Sequence, residues 1–582
     1  MSTLIELNEA VSAGDMATIV RLLRQLDRNA LNTRDNRLKP PLIHAAESSE
    51  AGVEVLRVLI EHGADVEASA GWEYEAGRTA LSFAISGGDP AKVLVLLDAG
   101  ANLNYSRDGF GALLDAVHGR DIRRDARLLA LLKLLVDRGA RLNDISKYQE
   151  SALRVLSNLG RFDAVKLLLD AGAEEWLLEW STLTRAVAIG TLAEMERALA
   201  AGDALEDRDF WDRTSLLVAI LTGDITKTRF LLEHGADAAA TGRCAEPPLF
   251  YSIQGHHEPM LRWLLSEGFS FVQTDEFGTP ALTSAAEAGN LTAAGILLDC
   301  GMNPDEKQDH HNALYSTTDP AIARLLLDAG ANHNPLPFEI RRALAKLPPK
   351  PELRLLRVSR DEFQRGWRRR FGIANPEEMT EPFWRSMVLS GVSGYQAANR
   401  FMEHAAHDRE PVWCSQRFGQ SITFLPDGRI VQIGGEHEDS YDPDFCIYND
   451  VFVHEPDGGF RIFGYPPEVF PPTDFHTATL AGQQIYVIGS LAYQGKRQFG
   501  ATSVFVLDTQ TFQIKRLETH GNGPGWIYHH SAILSSPREI RVSGGKVASM
   551  VDNKEVHTEN ERDFLLDLDQ LTWRLARSDR EA

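Results

Sequence analysis

The sequence predicts a multidomain chain in which an all-α solenoid precedes an all-β domain. Two periodic patterns support this fold class. A leucine-rich segment that ends in glycine recurs through the first 340 residues, mostly at spacings near 33, and three segments that end in Gly-Gly or Gly-Ser recur in the last 165 residues. A period near 33 is typical of paired helices, and one of roughly 50 is typical of groups of four short strands. We predict a solenoid over 1–335, a basic hinge and helical connector over 336–415, and a β domain over 416–582.

The length and composition are those of a globular protein with more than one domain. A chain of 582 residues exceeds what one hydrophobic core supports, and it is 43% hydrophobic and 24% charged. No apolar run approaches the roughly 18 to 20 residues that span a bilayer. The N-terminal segment MSTLIELNEAVSAGD lacks the basic and apolar regions of a signal peptide. We therefore expect a cytoplasmic protein that does not contact a membrane.

Charge and cysteine content argue against further classes. The formal net charge of −22 repels phosphates, which disfavours nucleic acid as a partner. The four cysteines, Cys244, Cys300, Cys414 and Cys446, lie far apart and form no C-x-x-C pair. This spacing predicts neither disulfides nor a cysteine zinc site, so we expect buried reduced thiols. No cofactor-binding motif is recognisable, and we expect no cofactor.

Each repeated segment of the N-terminal part carries two signals. The first opens a short alanine-rich helix, as in GRTALSFAI (77–85) and GTPALTSAA (278–286). The second closes a leucine-rich helix with a glycine, as in the two LLDAGAN segments that end at Asn102 and Asn332. The closing glycines are Gly63, Gly100, Gly139, Gly172, Gly235, Gly268, Gly301 and Gly330.

These signals resemble those of the ankyrin repeat, in which T-P-L-H-x-A opens the first helix and G-A-D or G-A-N closes the second. The resemblance gives about ten repeats, whose T-P-L leucines are Leu7, Leu42, Leu81, Leu113, Leu153, Leu183, Leu216, Leu249, Leu282 and Leu314. It implies helix pairs that bury their apolar faces against neighbouring repeats. It also implies that the concave face and the finger-like turns between repeats bind proteins.

Aromatic residues recur in the finger turns. They are Trp72, Tyr74, Phe110, Tyr148, Phe210, Trp211 and Phe277. Exposed aromatics are typical of protein interfaces, so we predict that this row binds a protein partner. The alternative is that each aromatic ring packs on the neighbouring finger.

The segment after the solenoid reverses the charge of the chain. Between Arg341 and Phe371 there are eleven Lys or Arg and three Asp or Glu. The segment either neutralises the acidic solenoid or the β domain as an intramolecular clamp, or it binds an anionic partner. Apolar residues at helical spacing then predict one or two amphipathic helices around Phe383 and Met387.

The C-terminal part repeats a four-strand pattern. GRIVQIGG ends at Gly435, QQIYVIGS ends at Ser490 and REIRVSGG ends at Gly545, so the spacings are 55 and 55. One predicted strand precedes each segment and two follow it. The pattern resembles the kelch repeat, which implies a kelch-like, propeller-type β domain of about three blades. Since four to eight blades close a propeller, residues 372–416, the solenoid or a second chain must cover the sheet edges.

Polar residues cluster at one predicted rim of this domain. In an antiparallel meander, the loop after each second strand lies at the same end as the start of each first strand. Residues at these places are Glu436, His437, Asp439, Asp474, His476, His529, His530 and His557. They either order the rim loops by hydrogen bonds, or form a recognition surface, or hold a metal or catalytic site. For a metal, we expect the ligands His437, His476 and His530 with Asp439 or Asp474.

Both resemblances imply a non-enzymatic protein-binding or scaffold protein, with the kelch-like domain as a second binding module. The alternative is an enzyme, or a ligand or metal sensor, that works at the polar rim and is targeted by the repeats. No nucleophile with an adjacent base and no catalytic motif is recognisable, so no catalytic residue is assigned. A bacterial effector or a toxin-neutralising protein is a further alternative within the binding class.

Overall fold

A computed structural model describes most of the chain. The described residues are 2–35, 38–71, 75–119, 125–306, 312–333, 336–402, 411–438 and 445–576. The chain divides into two compact units, Met1–Gly278 and Thr279–Ala582. The first unit is helical, and the second combines helices with all nineteen described strands.

The described α-helices of the first unit are short and follow one another closely. They are α1 (Ser2–Ala13), α2 (Met16–Leu23), α3 (Arg28–Leu31), α4 (Pro41–Glu47), α5 (Val53–Glu61), α6 (Ala80–Ser86), α7 (Pro90–Asp98), α8 (Ala112–Val117), α9 (Arg127–Asp137), α10 (Ala152–Asn158), α11 (Phe162–Asp170), α12 (Thr182–Ile189), α13 (Leu192–Ala201), α14 (Ser215–Thr222), α15 (Ile225–Glu233), α16 (Pro248–Gln254) and α17 (Glu258–Ser266). Two 3-10 helices, Glu175–Leu178 and Arg243–Ala245, lie between them.

The second unit begins with further helices of the same kind. Its described α-helices are α18 (Ala281–Glu287), α19 (Leu291–Asp299), α20 (Ala313–Ser316), α21 (Pro320–Asp328), α22 (Phe338–Leu344), α23 (Arg360–Gly366), α24 (Pro382–Ser390) and α25 (Gly394–Phe401). Its 3-10 helices are Leu353–Leu355 and Gln494–Lys496.

The predicted repeats are helix pairs. Ten pairs lie in the described residues, from α1 with α2 to α20 with α21, and the last two belong to the second unit. The leucine that marks each predicted repeat lies in the first helix of its pair and is at most 3% exposed. Since one pair cannot bury its apolar face alone, these leucines form the core between neighbours. Each of the ten predicted marker leucines thus lies in a described helix pair.

Two lysines join consecutive repeats by capping helix ends. Lys92 of α7 donates from Nζ to the carbonyl oxygen of Ser48, just after α4, at 2.6 Å. Lys227 of α15 donates in the same way to the carbonyl oxygen of Val187 in α12 at 2.7 Å. The last carbonyl groups of a helix lack partners within it and carry the negative end of its dipole. An ammonium group from the next repeat therefore stabilises both the helix and the stacking.

The strands lie in the second unit. They are β1 (Glu377–Glu378), β2 (Ser421–Phe424), β3 (Ile430–Ile433), β4 (Glu436–His437), β5 (Cys446–Ile447), β6 (Val451–His454), β7 (Phe460–Gly464), β8 (Thr477–Ala481), β9 (Gln484–Ile488), β10 (Val504–Asp508), β11 (Ile514–Arg516), β12 (His520–Gly521), β13 (Trp526–Tyr528), β14 (Ser531–Ser536), β15 (Glu539–Ser543), β16 (Lys546–Val551), β17 (Lys554–Glu559), β18 (Phe564–Asp567) and β19 (Thr572–Leu575).

Each glycine-marked segment supplies the second strand of a four-stranded antiparallel meander. The first sheet has the order β1-β7-β6-β3-β2, the second β11-β10-β9-β8 and the third β12-β19-β18-β15-β14. Two smaller sheets have the orders β13-β16-β17 and β4-β5. The predicted strands are present, and the region is rich in strands. The described strands form several separate sheets and do not close into a barrel.

The first strands of the three large sheets lie side by side. The hydroxyl group of Thr423 in β2 donates to the carbonyl oxygen of Ala478 in β8 at 3.2 Å. Thr479 in β8 donates in the same way to Ala532 in β14 at 3.3 Å. Equivalent positions in successive sequence repeats therefore make the same hydrogen bond between neighbouring sheets.

Short strands cover two outer sheet edges. Strand β1 pairs with β7 in antiparallel orientation, and β12 pairs with β19 in parallel orientation. Pairing satisfies the main-chain groups that an open edge would expose. Strand β1 lies in 372–416, one of the segments that the sequence offers as an edge cover.

The last two helix pairs pack on the strand-rich region of the same unit. Asp305 accepts a hydrogen bond from Ser531 Oγ at 3.0 Å. Asn332 Nδ2 donates to the carbonyl oxygen of His529 at 3.1 Å. The guanidinium group of Arg324 in α21 lies 3.7 Å from the centroid of an aromatic ring in β2. The helices that end the predicted solenoid thus fold together with the strands.

The connector packs on the first sheet. Helices α24 and α25 confirm the predicted amphipathic helices, and Trp384 of α24 stacks on Trp413 with ring centroids 4.5 Å apart. Phe452 of β6 and Phe460 of β7 belong to the same apolar cluster. The apolar face of the connector is therefore buried within the second unit.

Two basic residues of the connector bind main-chain carbonyl groups. Arg341 donates from Nη1 to the carbonyl oxygen of Gln420 at 2.6 Å, and Arg342 donates to that of Val388 at 2.7 Å. Burial lowers the pKa of both guanidinium groups to about 10. The contacts are intramolecular, as the clamp alternative predicts. Their partners are carbonyl oxygens, however, and not the acidic groups that the charge pattern indicates.

The cysteines are free thiols. Cys414 and Cys446 are buried, Cys244 is half-buried and Cys300 is exposed. The prediction of buried thiols is therefore wrong for Cys300, because this residue caps the end of α19. Over the described ranges, no helix combines the length and the hydropathy that crossing a bilayer requires.

Candidate functional site

Three residues occupy equivalent positions directly before the first strands of the large sheets. They are Gln420 before β2, His476 before β8 and His530 before β14. The imidazole Nε2 of His476 is 2.9 Å from Ser421 Oγ, the first residue of β2. The imidazole Nε2 of His530 is likewise 2.9 Å from Thr477 Oγ1, the first residue of β8. Each histidine therefore links its own sheet to the preceding one.

These two predicted rim histidines lie inside the protein. Both are fully buried, and burial lowers their pKa values to about 3. His333, near the end of the last helix pair, is also buried, and burial moves its pKa well below the ordinary value. Neutral histidines at these positions act as structural hydrogen-bonding groups. This placement favours the loop-ordering alternative for His476 and His530.

A large cavity of the second unit lies close to these buried histidines, next to the starts of β8 and β14. Its volume is about 1030 Å³. Its lining includes Asp305, Asn332, Phe418, Glu436, Phe475, His529, Lys546 and Glu559. A volume of this size accommodates a small molecule or a side chain with its neighbours. Among the predicted rim residues, Glu436 and His529 line it.

The carboxyl groups of Glu436 and Asp474, two of the predicted rim residues, are neighbours, and Glu436 lies in the cavity wall. Burial raises the pKa of Glu436 to about 8, and the neighbouring Asp474 adds to this effect. Burial also raises the pKa of Asp474. Oδ1 of Asp474 accepts hydrogen bonds from Ser490 Oγ at 3.0 Å and from the main-chain N–H of Ala492 at 2.7 Å. Two adjacent carboxyl groups share one proton more readily than they ionise together.

Two other predicted rim residues, His437 and His557, make hydrogen bonds with other partners. The Nδ1 atom of His437 is 2.8 Å from the carbonyl oxygen of Gln416. The Nδ1 atom of His557 is 2.7 Å from the hydroxyl group of Tyr528. Asp439 lies outside the described residues. In the described part of the chain, no group of three or more His, Cys, Asp or Glu is arranged to hold a metal ion.

The finger aromatics of the first unit divide into packed and exposed rings. Phe210 lies under the guanidinium group of Arg154 at 3.6 Å, and Trp211 Nε1 donates to the carbonyl oxygen of Arg154 at 2.8 Å. Phe110 is half-buried, with its ring centroid 6.4 Å from that of Tyr148. Tyr148 and Phe277 are 68% and 59% exposed. Trp72 and Tyr74 lie outside the described residues.

Several surface residues were not anticipated from the sequence. Trp176 is 62% exposed and Val272 is 69% exposed, and each lies in the segment that follows a helix pair of the first unit. In the second unit, Phe418 is 59% exposed at the cavity. The alignment of FGQ (418–420) with DFH (474–476) would have placed Phe418 at the rim. Trp176 lacked such a signal because a 3-10 helix replaces the usual finger there.

Comparison with protein families identifies the helical repeats. A model described as ankyrin repeats (3 copies) matches residues 7–107 and 249–336. A second model, ankyrin repeats (many copies), matches residues 216–265. Ankyrin repeats are therefore present in the N-terminal part of the chain.

Two curated proteins are similar to parts of the chain. The B-cell lymphoma 3 protein homolog of Mus musculus is 28% identical over 217 residues, which are 35% of this chain and 47% of that protein. A putative ankyrin repeat-containing protein of Treponema pallidum (strain Nichols) is 28% identical over 123 residues, which are 20% of this chain and 41% of that protein. The chain thus spans less than half the length of either relative.

Proposed function

We propose that the chain is a non-enzymatic scaffold protein whose ankyrin repeats bind a protein partner through the finger turns and the concave face. The observation that carries this proposal is a set of large apolar side chains that the first unit leaves exposed in the segments that follow its helix pairs. They are Tyr148, Trp176, Val272 and Phe277. Aromatic anchors of this kind provide much of the binding energy at protein interfaces. Ankyrin repeats generally mediate protein interactions, which supports the same role.

Replacement of the exposed anchors should separate binding from stability. We expect the triple variant Tyr148→Ala, Trp176→Ala, Phe277→Ala to lose capture of the partner by roughly 30-fold or more, since a single anchor residue already contributes about 2 kcal/mol or more. The melting temperature should change little because exposed rings contribute little to folding. The measurement is quantitative pull-down of a partner first identified by mass spectrometry, together with thermal unfolding.

The matched control is Trp211→Ala, which removes a half-buried ring and its hydrogen bond to Arg154. This variant should lower the melting temperature of the first unit and retain most of the capture. Undiminished capture by the triple variant would refute the proposed finger surface.

We also propose that residues 416–582 are a kelch-like, propeller-type module that serves as a second binding surface. Three four-stranded meanders support this proposal, as do the paired glycines after β3 and β15, which have positive φ angles. The proposed modules are 1–335, 336–415 and 416–582, and the proposed location is the cytoplasm. A bacterial effector or a toxin-neutralising protein would use the same surfaces, so both stay alternatives within the binding class.

A second candidate function is ligand sensing at the rim of the strand-rich region. The cavity of about 1030 Å³ and the carboxyl group of Glu436 in its wall favour this candidate. A metal-dependent version has less support because the described residues contain no suitable ligand group.

A further inference from the structure

Asp474 is a buried carboxyl group whose neighbour Glu436 lines the cavity. The side chain is fully buried. Two hydrogen bonds to Oδ1 fix its orientation. The second oxygen, Oδ2, accepts no hydrogen bond from an N–H or hydroxyl group in the described ranges, so the carboxyl group of Glu436 is its hydrogen-bonding partner. A buried acceptor that lacks N–H and hydroxyl donors favours a ligand that supplies one.

Glu436 connects this buried acceptor to the cavity. Its carboxyl group interacts directly with that of Asp474, and its residue lines the cavity. At neutral pH the two groups hold one proton between them, because burial raises the pKa of Glu436 to about 8. A donor that also carries positive charge would satisfy both groups better than this proton, since it pairs with two carboxylates at once.

The charged groups around the pair leave it with an excess of negative charge. Arg497 lowers the pKa of Asp474 and also forms an ion pair with Glu555. The Nζ atom of Lys546 lies 3.5 Å from Oε1 of Glu559. Among the described residues, Asp474 and Glu438 are the ionisable groups that raise the pKa of Glu436. The other described ionisable groups of the cavity wall are Asp305, His529, Lys546 and Glu559. A cationic ligand is therefore favoured over an anionic one.

Aromatic rings form the adjoining wall. Phe418 is exposed, and Phe475 lies against His529 with ring centroids 4.0 Å apart. Phe475 and His529 have φ angles of 47° and 55°, at the position where the first sheet has Gly419 with φ of 59°. Side chains rarely adopt this left-handed conformation, and such strain is concentrated at functional sites. Aromatic faces attract cations and also bury alkyl chains.

We propose that this cavity binds the alkylammonium group of an organic amine, either a free amine or a lysine side chain. The ammonium group donates to Glu436 and Asp474, and the alkyl chain packs against Phe418 and Phe475. Binding releases the shared proton to solvent. The proposal deepens the second candidate function and does not depend on the finger surface.

Titration calorimetry on the full chain tests the site with defined probes. The probes are pentylammonium chloride, sodium pentanoate, and the blocked tripeptides Ala-Lys-Ala and Ala-norleucine-Ala. Pentylammonium or the lysine peptide should bind, whereas pentanoate and the norleucine peptide should not. Preference for pentylammonium indicates a free amine, and preference for the lysine peptide indicates a lysine side chain. Failure of both cationic probes at millimolar concentration would overturn the proposal.

Glu436→Gln is the decisive variant, and Glu468→Gln, at an exposed position that does not line this cavity, is its control. Because Glu436 is largely protonated at pH 7, the amide should preserve the fold while weakening amine binding by about tenfold or more. Glu468→Gln should bind as the unchanged protein does. Equal affinity of all three proteins would overturn the proposal even if the amine binds.

Proton release gives a readout that does not depend on the variants. At pH 7, heats measured in two buffers of different ionisation enthalpy should show that about one proton leaves per ammonium bound. Affinity should rise between about pH 6.5 and pH 9, while the amine stays charged. Heats that do not depend on the buffer, or affinity that falls over this range, would show that Glu436 and Asp474 do not hold the ligand.

Discussion

A fragment of residues 279–582 is expected to fold, whereas the same fragment without residues 279–335 is expected to lose its cooperative unfolding transition. The removed helices cover the first strands of the three large sheets. Asp305 and Asn332 bond to the residues that begin β14, and Arg324 lies over a ring of β2. Removal would expose the buried histidines His476 and His530 together with the strands they join. Thermal unfolding followed by circular dichroism and tryptophan fluorescence measures the effect.

A point variant serves as the control for this truncation. Asn332→Ala in fragment 279–582 removes two hydrogen bonds to main-chain carbonyl groups, at 3.1 and 3.3 Å. It should lower stability by about 1 to 3 kcal/mol and preserve cooperative unfolding. If fragment 336–582 melts as sharply and at the same temperature as 279–582, the strands do not need the last helix pairs.

Acidification is the second condition with a large expected effect. His476 and His530 have folded-state pKa values of about 3, because burial opposes their charged form. In the unfolded chain an ordinary histidine takes up its proton near pH 6.5. The unfolded state therefore binds more protons as the pH falls below about 6.5, and stability decreases until the folded-state pKa is reached. Each histidine contributes about 1.4 kcal/mol per pH unit over this range.

The contribution of the two histidines is best measured as a difference. Burial raises the pKa of Glu436 to about 8, so this group stabilises the fold as the pH falls and offsets one histidine. The unfolding free energy of the unchanged protein, minus that of the variant His476→Gln, His530→Gln, should therefore fall by up to about 2.7 kcal/mol per pH unit below about pH 6.5. His520→Gln, at an exposed position, is the control variant. A constant difference between pH 7 and pH 5 would contradict the prediction.

The sequence predicted the repeats well because each repeat is a local unit with its own marker. The marker leucines are buried in the first helices, and the glycine pairs end the second strands. The interactions between distant segments were not predictable from these markers. Asp305 meets Ser531 although 226 residues separate them. Such a contact depends on how two repeat types pack together, which periodicity within each type does not encode.

The rim was predictable in its location and only partly in its chemistry. The antiparallel meander predicts Glu436 and His529 at one rim, and both residues line the cavity. The pattern did not reveal that His476 and His530 are buried, because histidines at the same spacing would also be expected for ligands on the protein surface. Asp474 belongs to both descriptions, since it is buried and yet pairs with Glu436 in the cavity wall.

The bond from Asn332 to His529 spans 197 residues of chain, and this separation has a consequence during synthesis. Ribosomes add about 5 to 20 residues per second, so roughly 10 to 40 seconds pass between the emergence of the two partners. Throughout this interval the last two helix pairs lack the strands against which they pack. We expect nascent chains that end between residues 340 and 530 to be the ones that chaperones bind most strongly, with release once β14 has emerged.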